Sequence, residues 1–356
     1  MNSDPGHVVV RADADAAVGI GHLMRASALA EELHARGATV DVLSRPLSDR
    51  LVRWLVARGL GVHEFTEPTG GSADLRRTTG LARRVGASWI VVDGYRFDAR
   101  YQAALTESGV RVLWIDDDAH AACYTAEVIV NPNLHARPEM YPRRPPDGRL
   151  LLGPRFALLR PEFRRRLQSP DRTSRPDRLL VSLGGGDAGA LIPEILKGIA
   201  GLGRDRFEVK IVAGPHVSPL ALQASADRLL SRAHVLPFVE DMAAVMAWCD
   251  LAVSAAGSTV WELLALGIPS VLVVLADNQA AVGAELDRRG AAVSLGAREG
   301  LTASSVAQAL RSLAEDPRRL ELVRRVGSTI VDGRGAARVA DHLTPTHSVA
   351  HAHGDD

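Results

Sequence analysis

Two open α/β domains with mostly parallel sheets, hinged so that the sheets face a central cleft, are the fold this sequence predicts. Three observations carry that prediction. Short runs rich in Val, Ile and Leu alternate with longer Ala/Leu/Arg-rich segments of helical spacing, the pattern of βαβ units. The alternation breaks off in a proline-crowded stretch and then restarts. At 356 residues the chain has room for roughly two domains, each burying its own core.

His7–Ala12 reads as the first strand. Leu23, Ala26, Ala30 and Leu33 then recur at helical spacing, and Gly37 stands where a C-terminal cap belongs. Further strands are expected at Thr39–Leu43, Trp89–Val92, Val110–Ile115 and Val128–Val130. From Asn131 to Pro176 nine prolines intervene among many arginines, which no regular element tolerates, so a linker is expected there. Within it, Leu150–Leu152 reads as a short strand and Pro161–Leu167 as a helical turn. Strands resume at Leu179–Leu183, Phe207–Val212, His234–Leu236, Leu251–Val253 and Val271–Val274. The expected divisions are a Rossmann-like domain over 1–150, a Pro/Arg-rich linker over 151–176, a second Rossmann-like domain over 177–343 and a disordered tail over 344–356.

Composition narrows the function. With 42 Lys+Arg against 42 Asp+Glu the formal net charge is +0, which removes the electrostatic footprint of non-specific nucleic-acid binding or of a polybasic membrane anchor. Two cysteines, Cys123 and Cys249, build neither a disulfide framework nor a cysteine metal site. The first residues lack the basic and long apolar segments of a signal peptide. The most apolar stretch, Ile268 to Ala276, is about half of what crosses a bilayer. A soluble, cytoplasmic protein is therefore expected.

In paired open sheets, ligands sit beyond the carboxyl ends of the strands, so the strand-to-helix loops should hold the chemistry. The first runs from Arg11 through Asp13, Gly19, Gly21 and His22 to Arg25. Gly19 and Gly21 let a ligand approach a helix N-terminus whose N–H groups favour anions. His22 stands in the first helical turn, where the helix field favours a neutral ring able to accept a proton from water or a hydroxyl. A nicotinamide fingerprint is disfavoured, because Met24 takes the third glycine position and Asp41 lies at the wrong end of the second strand. Asp13 and Asp15 without a third ligand read as caps before they read as a metal pair. Arg11 and Arg25 either orient these acids or meet substrate charge.

In the second half, Leu179–Leu183 runs into Gly184, Gly185, Gly186 and Asp187, an anion nest or a plain tight turn, without the Lys-Ser/Thr ending of a P-loop. Gly257, Ser258 and Thr259 follow a strand and open a helix, where they can receive a diphosphate. Glu262, one turn in, can accept both hydroxyls of a ribose or merely favour the helix dipole. Asp277, Asn278 and Gln279 follow the next strand and can bond sugar hydroxyls. Asp116-Asp117-Asp118 and Asp93-Gly94-Tyr95 also stand at strand ends, with acid caps as their default reading.

Taken together, these motifs resemble the PseG/SpsG family of UDP-sugar hydrolases of bacterial pseudaminic acid synthesis, relatives of MurG with the GT-B fold. The resemblance rests on Arg11–Arg25, Val91–Tyr95, Ile115–Asp117, Val130–Asn133, Gly153–Phe163, Gly184–Asp187 and Gly257–Glu262. It implies a metal-independent, cofactor-free hydrolase that cleaves a UDP-linked amino/deoxy sugar at the anomeric carbon. On that resemblance His22 is catalytic, with Asp13 beside it. Gly19, Gly21, Arg25, Tyr95, Asn278 and Gln279 take the sugar and water side. Gly184, Gly185, Gly257, Ser258, Thr259 and Glu262 hold the nucleotide. Two rivals stand beside it: a GT-B glycosyltransferase in which His22 serves an acceptor hydroxyl, and a sugar-nucleotide-binding protein without chemistry.

Overall fold

The computed structural model describes residues 6–14, 19–167, 175–184, 189–214, 217–237 and 239–343. Asp15, Gly185, Gly186, Asp187 and the expected tail over 344–356 lie outside the described residues. Two parallel sheets make the frame. The first contains β1 (His7–Ala12), β2 (Thr39–Ser44), β3 (Gly61–Glu64), β4 (Ala87–Asp93), β5 (Arg111–Ile115), β6 (Val128–Asn131) and β7 (Arg149–Leu152), in the order β3-β2-β1-β4-β5-β6-β7. The second contains β8 (Arg178–Ser182), β9 (Glu208–Val212), β10 (Ala233–Leu236), β11 (Leu251–Ala255), β12 (Ser270–Val274) and β13 (Val293–Ala297), in the order β10-β9-β8-β11-β12-β13.

Helices cover both faces of each sheet, which is why the central strands read as unbroken apolar runs. In β1, Val8 and Val10 pack in one layer with Leu23, Leu29 and Leu33 of the helix Gly21–Ala35. Val9 points the other way, into the layer of Tyr101, Leu105 and Trp114. Each such large apolar side chain contributes about 1.5–3 kcal/mol by leaving water. The expected cap is present too: Gly37 has φ +98°, in the left-handed region open to glycine.

Two strands were not foreseen. Gly61–Glu64 and Val293–Ala297 are edge strands with half-buried or exposed residues, so neither carries the apolar run that marks a buried strand. The expected strand inside the linker is the seventh of the first sheet, with Val130 paired to Leu151, so residue 150 falls within an element. The helical turn expected over Pro161–Leu167 closes as the helix Pro161–Arg164.

The last helix, Gly335–Ala340, crosses back to the first domain, although the sequence reading assigned everything to residue 343 to the second. Ala336, Val339, Ala340 and Leu343 share a core with Leu29 and Trp89, and Trp89 Nε1 donates to the Leu343 carbonyl at 2.9 Å. Arg36 pairs with Asp341 at 2.7 Å. A terminal amphipathic pattern says that a face is buried but not against which sheet. Among the described residues no helix is long and apolar enough to cross a membrane.

Candidate active site

Both sheets reverse their winding at one place, between β1 and β4 in the first and between β8 and β11 in the second. A parallel α/β sheet opens a crevice at such a switch point, because neighbouring crossovers leave to opposite faces. The loop after β1 carries His22, and β4 ends at Asp93, whose Cα partner is Ala12 of β1. The loop after β11 carries Gly257 and Ser258. The two crevices meet: a Cβ built on Gly21 would stand 3.4 Å from Ser258 Oγ.

His22 is 6% exposed and Asp93 wholly buried. The ring Nδ1 lies 2.6 Å from Asp93 Oδ1. A carboxylate only accepts, so Nδ1 is the donor, and the neutral ring keeps its lone pair on Nε2. Arg25, one helical turn on, forks onto the same carboxylate, with Nε 2.6 Å from Oδ2 and Nη2 2.6 Å from Oδ1. Its Nη2 lies 2.9 Å from His22 Nδ1, since both donate to one oxygen. The remaining arm of Arg25 holds Asp117 at the end of β5. Burial alone would push the Asp117 carboxyl up; the Arg25 charge outweighs it and brings the value down to about 2.

Tyr95 stands edge-on to the His22 ring, with centroids 4.6 Å apart. Burial and the Asp117 charge push its hydroxyl pKa up, so it stays protonated. Asn278 Nδ2 donates to that hydroxyl at 2.7 Å, which ties the two domains together across the cleft. Gln279 turns back, its Oε1 accepting from the Leu275 N–H at 3.0 Å.

Asp13 borders the small recess beside His22 with Thr69, Tyr95 and Phe97, but its oxygens are occupied. Arg11 donates twice, at 2.6 and 2.9 Å, Thr69 Oγ1 once at 2.7 Å and the Arg45 N–H once at 2.9 Å. Burial would raise its carboxyl pKa, yet the Arg11 pairing holds it below the ordinary aspartate range. That geometry suits fixing the loop rather than moving a proton. Arg11 is itself wholly buried, between the Phe65 and Phe97 rings and on Asp74, so of its two expected roles it orients acids. Asp41 joins His7 and His63 on the sheet, away from this crevice.

On the opposite wall, Ser258 precedes the helix Thr259–Ala265 and makes no side-chain cap bond among the described residues. Val260, Leu263 and Leu264 turn inward as expected. Glu262 lines the cleft with Met24, Leu158, Trp261 and Val282. Burial pushes its carboxyl up, with Arg160 acting against that. Arg160 reaches Glu262 at 3.2 Å and Glu162 at 3.3 Å, joining the linker to the second domain's wall of the cleft. Gly19 and Gly184 both have positive φ, +76° and +80°, and Gly184 ends the described part of its loop.

Sequence reasoning left Asp93, Asp117 and Arg160 out of the site. The two acids had a signal, since each ends a parallel strand inside a motif, but an acid there reads first as a cap. Among the described residues no three His, Cys, Asp or Glu side chains are grouped to hold a metal ion.

Two parallel-sheet Rossmann-like domains with facing switch points define a GT-B protein. MurG of Acinetobacter baumannii superposes with a TM-score of 0.63 at 19% identity, covering 95% of this chain and 99% of that one. The calicheamicin glycosyltransferase CalG4 gives 0.62 at 17% identity, over 95% and 97%. Within that class the chain belongs to the MurG-like glycosyltransferase family 28. The model of the glycosyltransferase family 28 C-terminal domain matches residues 179–327. The UDP-N-acetylglucosamine--N-acetylmuramyl-(pentapeptide) pyrophosphoryl-undecaprenol N-acetylglucosamine transferase of Phenylobacterium zucineum (strain HLK1) is 30% identical over 92% of this chain and 95% of its own length. The protein of the same description from Xanthomonas campestris pv. campestris (strain B100) is 36% identical over 171 residues, 47% of this chain, a stretch that spans only 40% of that relative.

Proposed function

We propose that the chain is a glycosyl-transfer enzyme with a UDP-sugar donor. The observation that carries this reading is the His22–Asp93 pair at 2.6 Å, set opposite the helix start at Ser258 and Thr259. His22 Nε2 takes the proton of the attacking oxygen. That oxygen forms its bond to the anomeric carbon as the bond to the diphosphate oxygen breaks, and UDP leaves with the electron pair. Helix N-terminal N–H groups from both walls stabilise the charge that grows on the departing diphosphate. Glu262 accepts from the ribose hydroxyls in exchange for Arg160. Transferase descriptions of the relatives support a hydroxyl-bearing acceptor.

A second reading, in which water is the acceptor, is favoured by one contact. Tyr95 stands edge-on to His22 and is bonded to Asn278, which narrows the approach to the base. Incubating the full chain with a panel of UDP-sugars, with and without candidate acceptors, separates the two. UDP release only with an acceptor marks the transferase. UDP plus free sugar without one marks the hydrolase. Nucleotide binding with no UDP release from any member would overturn both and leave a binding protein.

A further inference from the structure

The loop after β5 contains a histidine that the proposed chemistry does not use. Asp116, wholly buried, accepts from the Asp118 and Ala119 N–H groups at 3.1 and 2.8 Å and from the Tyr124 hydroxyl. Four donors converge on this carboxylate when His120 is included. Ala119 is the sole non-glycine residue with positive φ among the described residues, at +52°. That turn brings His120 against the loop after β4. There its Nδ1 lies 3.3 Å from Asp116 Oδ1 and its Nε2 lies 3.1 Å from the Phe97 carbonyl.

Both partners are acceptors only. A neutral imidazole satisfies one of them and points a lone pair at the other; the imidazolium satisfies both. The Phe97 carbonyl belongs to the short loop after β4 that also carries Tyr95. The Tyr95 ring stands edge-on to His120 with centroids 5.9 Å apart, while the same ring is 4.6 Å from His22. His120, Tyr95 and His22 thus form one row of rings.

Resting on the reading that His22 and Tyr95 belong to the active site, we propose that His120 is a positioning residue which, as an imidazolium, ties the β4 and β5 loops together and fixes Tyr95 over His22. The titratable groups facing it are Asp116 and Asp118 on its own loop, Tyr124 beyond them and Tyr95 on the neighbouring loop after β4. Burial opposes the charge, and Asp116 and Asp118 favour it, leaving the ring above its ordinary range. The Tyr95 clamp is therefore intact below that raised value and is lost as pH rises through it.

The test uses the full chain and His120→Gln, which cannot carry charge. With whichever UDP-sugar is turned over, kcat should fall about tenfold with KM changed less than twofold. The wild-type basic limb of kcat against pH should also vanish in the variant. An independent readout follows the histidine Cε1–H resonances by NMR: the signal absent from His120→Gln should titrate above 6.5, the ordinary histidine value. An unchanged basic limb, or a missing signal that titrates at or below that value, overturns the proposal. His22→Asn keeps the two ideas apart. If it retains turnover, the active-site reading fails; if it abolishes turnover while His120→Gln leaves the profile unmoved, only the role of His120 fails.

Discussion

His22 matters for what its neighbours do to its protons. Asp93 accepts a hydrogen bond from the His22 Nδ1–H and Arg25 in turn donates to both Asp93 oxygens, so ring orientation and tautomer are set by one buried carboxylate. Replacing Asp93 by Asn keeps the shape but lets the amide N–H donate to Nδ1, which moves the ring proton to Nε2 and removes the base. We expect His22→Asn and Asp93→Asn each to lower kcat by about 10²–10⁴, the usual worth of a positioned base, with the Kd for UDP unchanged in calorimetry. A variant within threefold of wild type in UDP release would contradict that role. At this scale the sequence was partly legible. His22 and Glu262 announce themselves by standing one turn or less into helices that follow small-residue loops. Asp93 does not, because its partner lies 71 positions away in the chain and meets it only through the pairing of β1 with β4.

Among elements, the central strands and the edge strands Arg149–Leu152 and Ala233–Leu236 were readable from their apolar runs, while the edge strands Gly61–Glu64 and Val293–Ala297 were not, because a half-exposed edge needs no such run. The linker was readable as a break, since proline cannot donate to a ladder, but not as an energetic junction. There the first helix meets the linker through Glu32, whose Oε2 lies 2.8 Å from Arg164 Nη1, while the neighbouring Glu31 has its Oε1 3.4 Å from Arg58 Nε. Burial pushes the Glu31 carboxyl up to about 7; Arg58 acts against this and Glu162 with it. The folded chain therefore holds a proton there that the unfolded chain releases near 4.5. The stability associated with that proton is full below 4.5 and is lost as pH rises through about 7. Glu31→Gln removes this loss. Its melting temperature relative to wild type should rise between pH 4.5 and pH 8, measured by thermal unfolding in matched buffers; a pH-independent difference would show that Glu31 ionises normally.

For the whole molecule, the architecture followed from alternation and one interruption, while its closure did not. Nothing in a terminal helical pattern tells that Gly335–Ala340 returns to the first domain; at the start of that helix a Cβ on Gly335 would meet the linker's Ala157 carbonyl at 2.1 Å. That return means the chain crosses between domains twice, once at the linker and once at its end, so the cleft sits over a two-strand hinge. Such a hinge permits closure about a bound ligand, and the facing of Gly21 and Ser258 marks the place we propose for the ligand. The most direct test is a crystal structure of the full chain with UDP. Ribose hydroxyls on Glu262 and a diphosphate lying between the Gly257–Thr259 turn and the Gly19–His22 loop, within reach of the His22 ring, are the expected result. UDP bound away from this cleft, or a diphosphate directed away from His22, would contradict it.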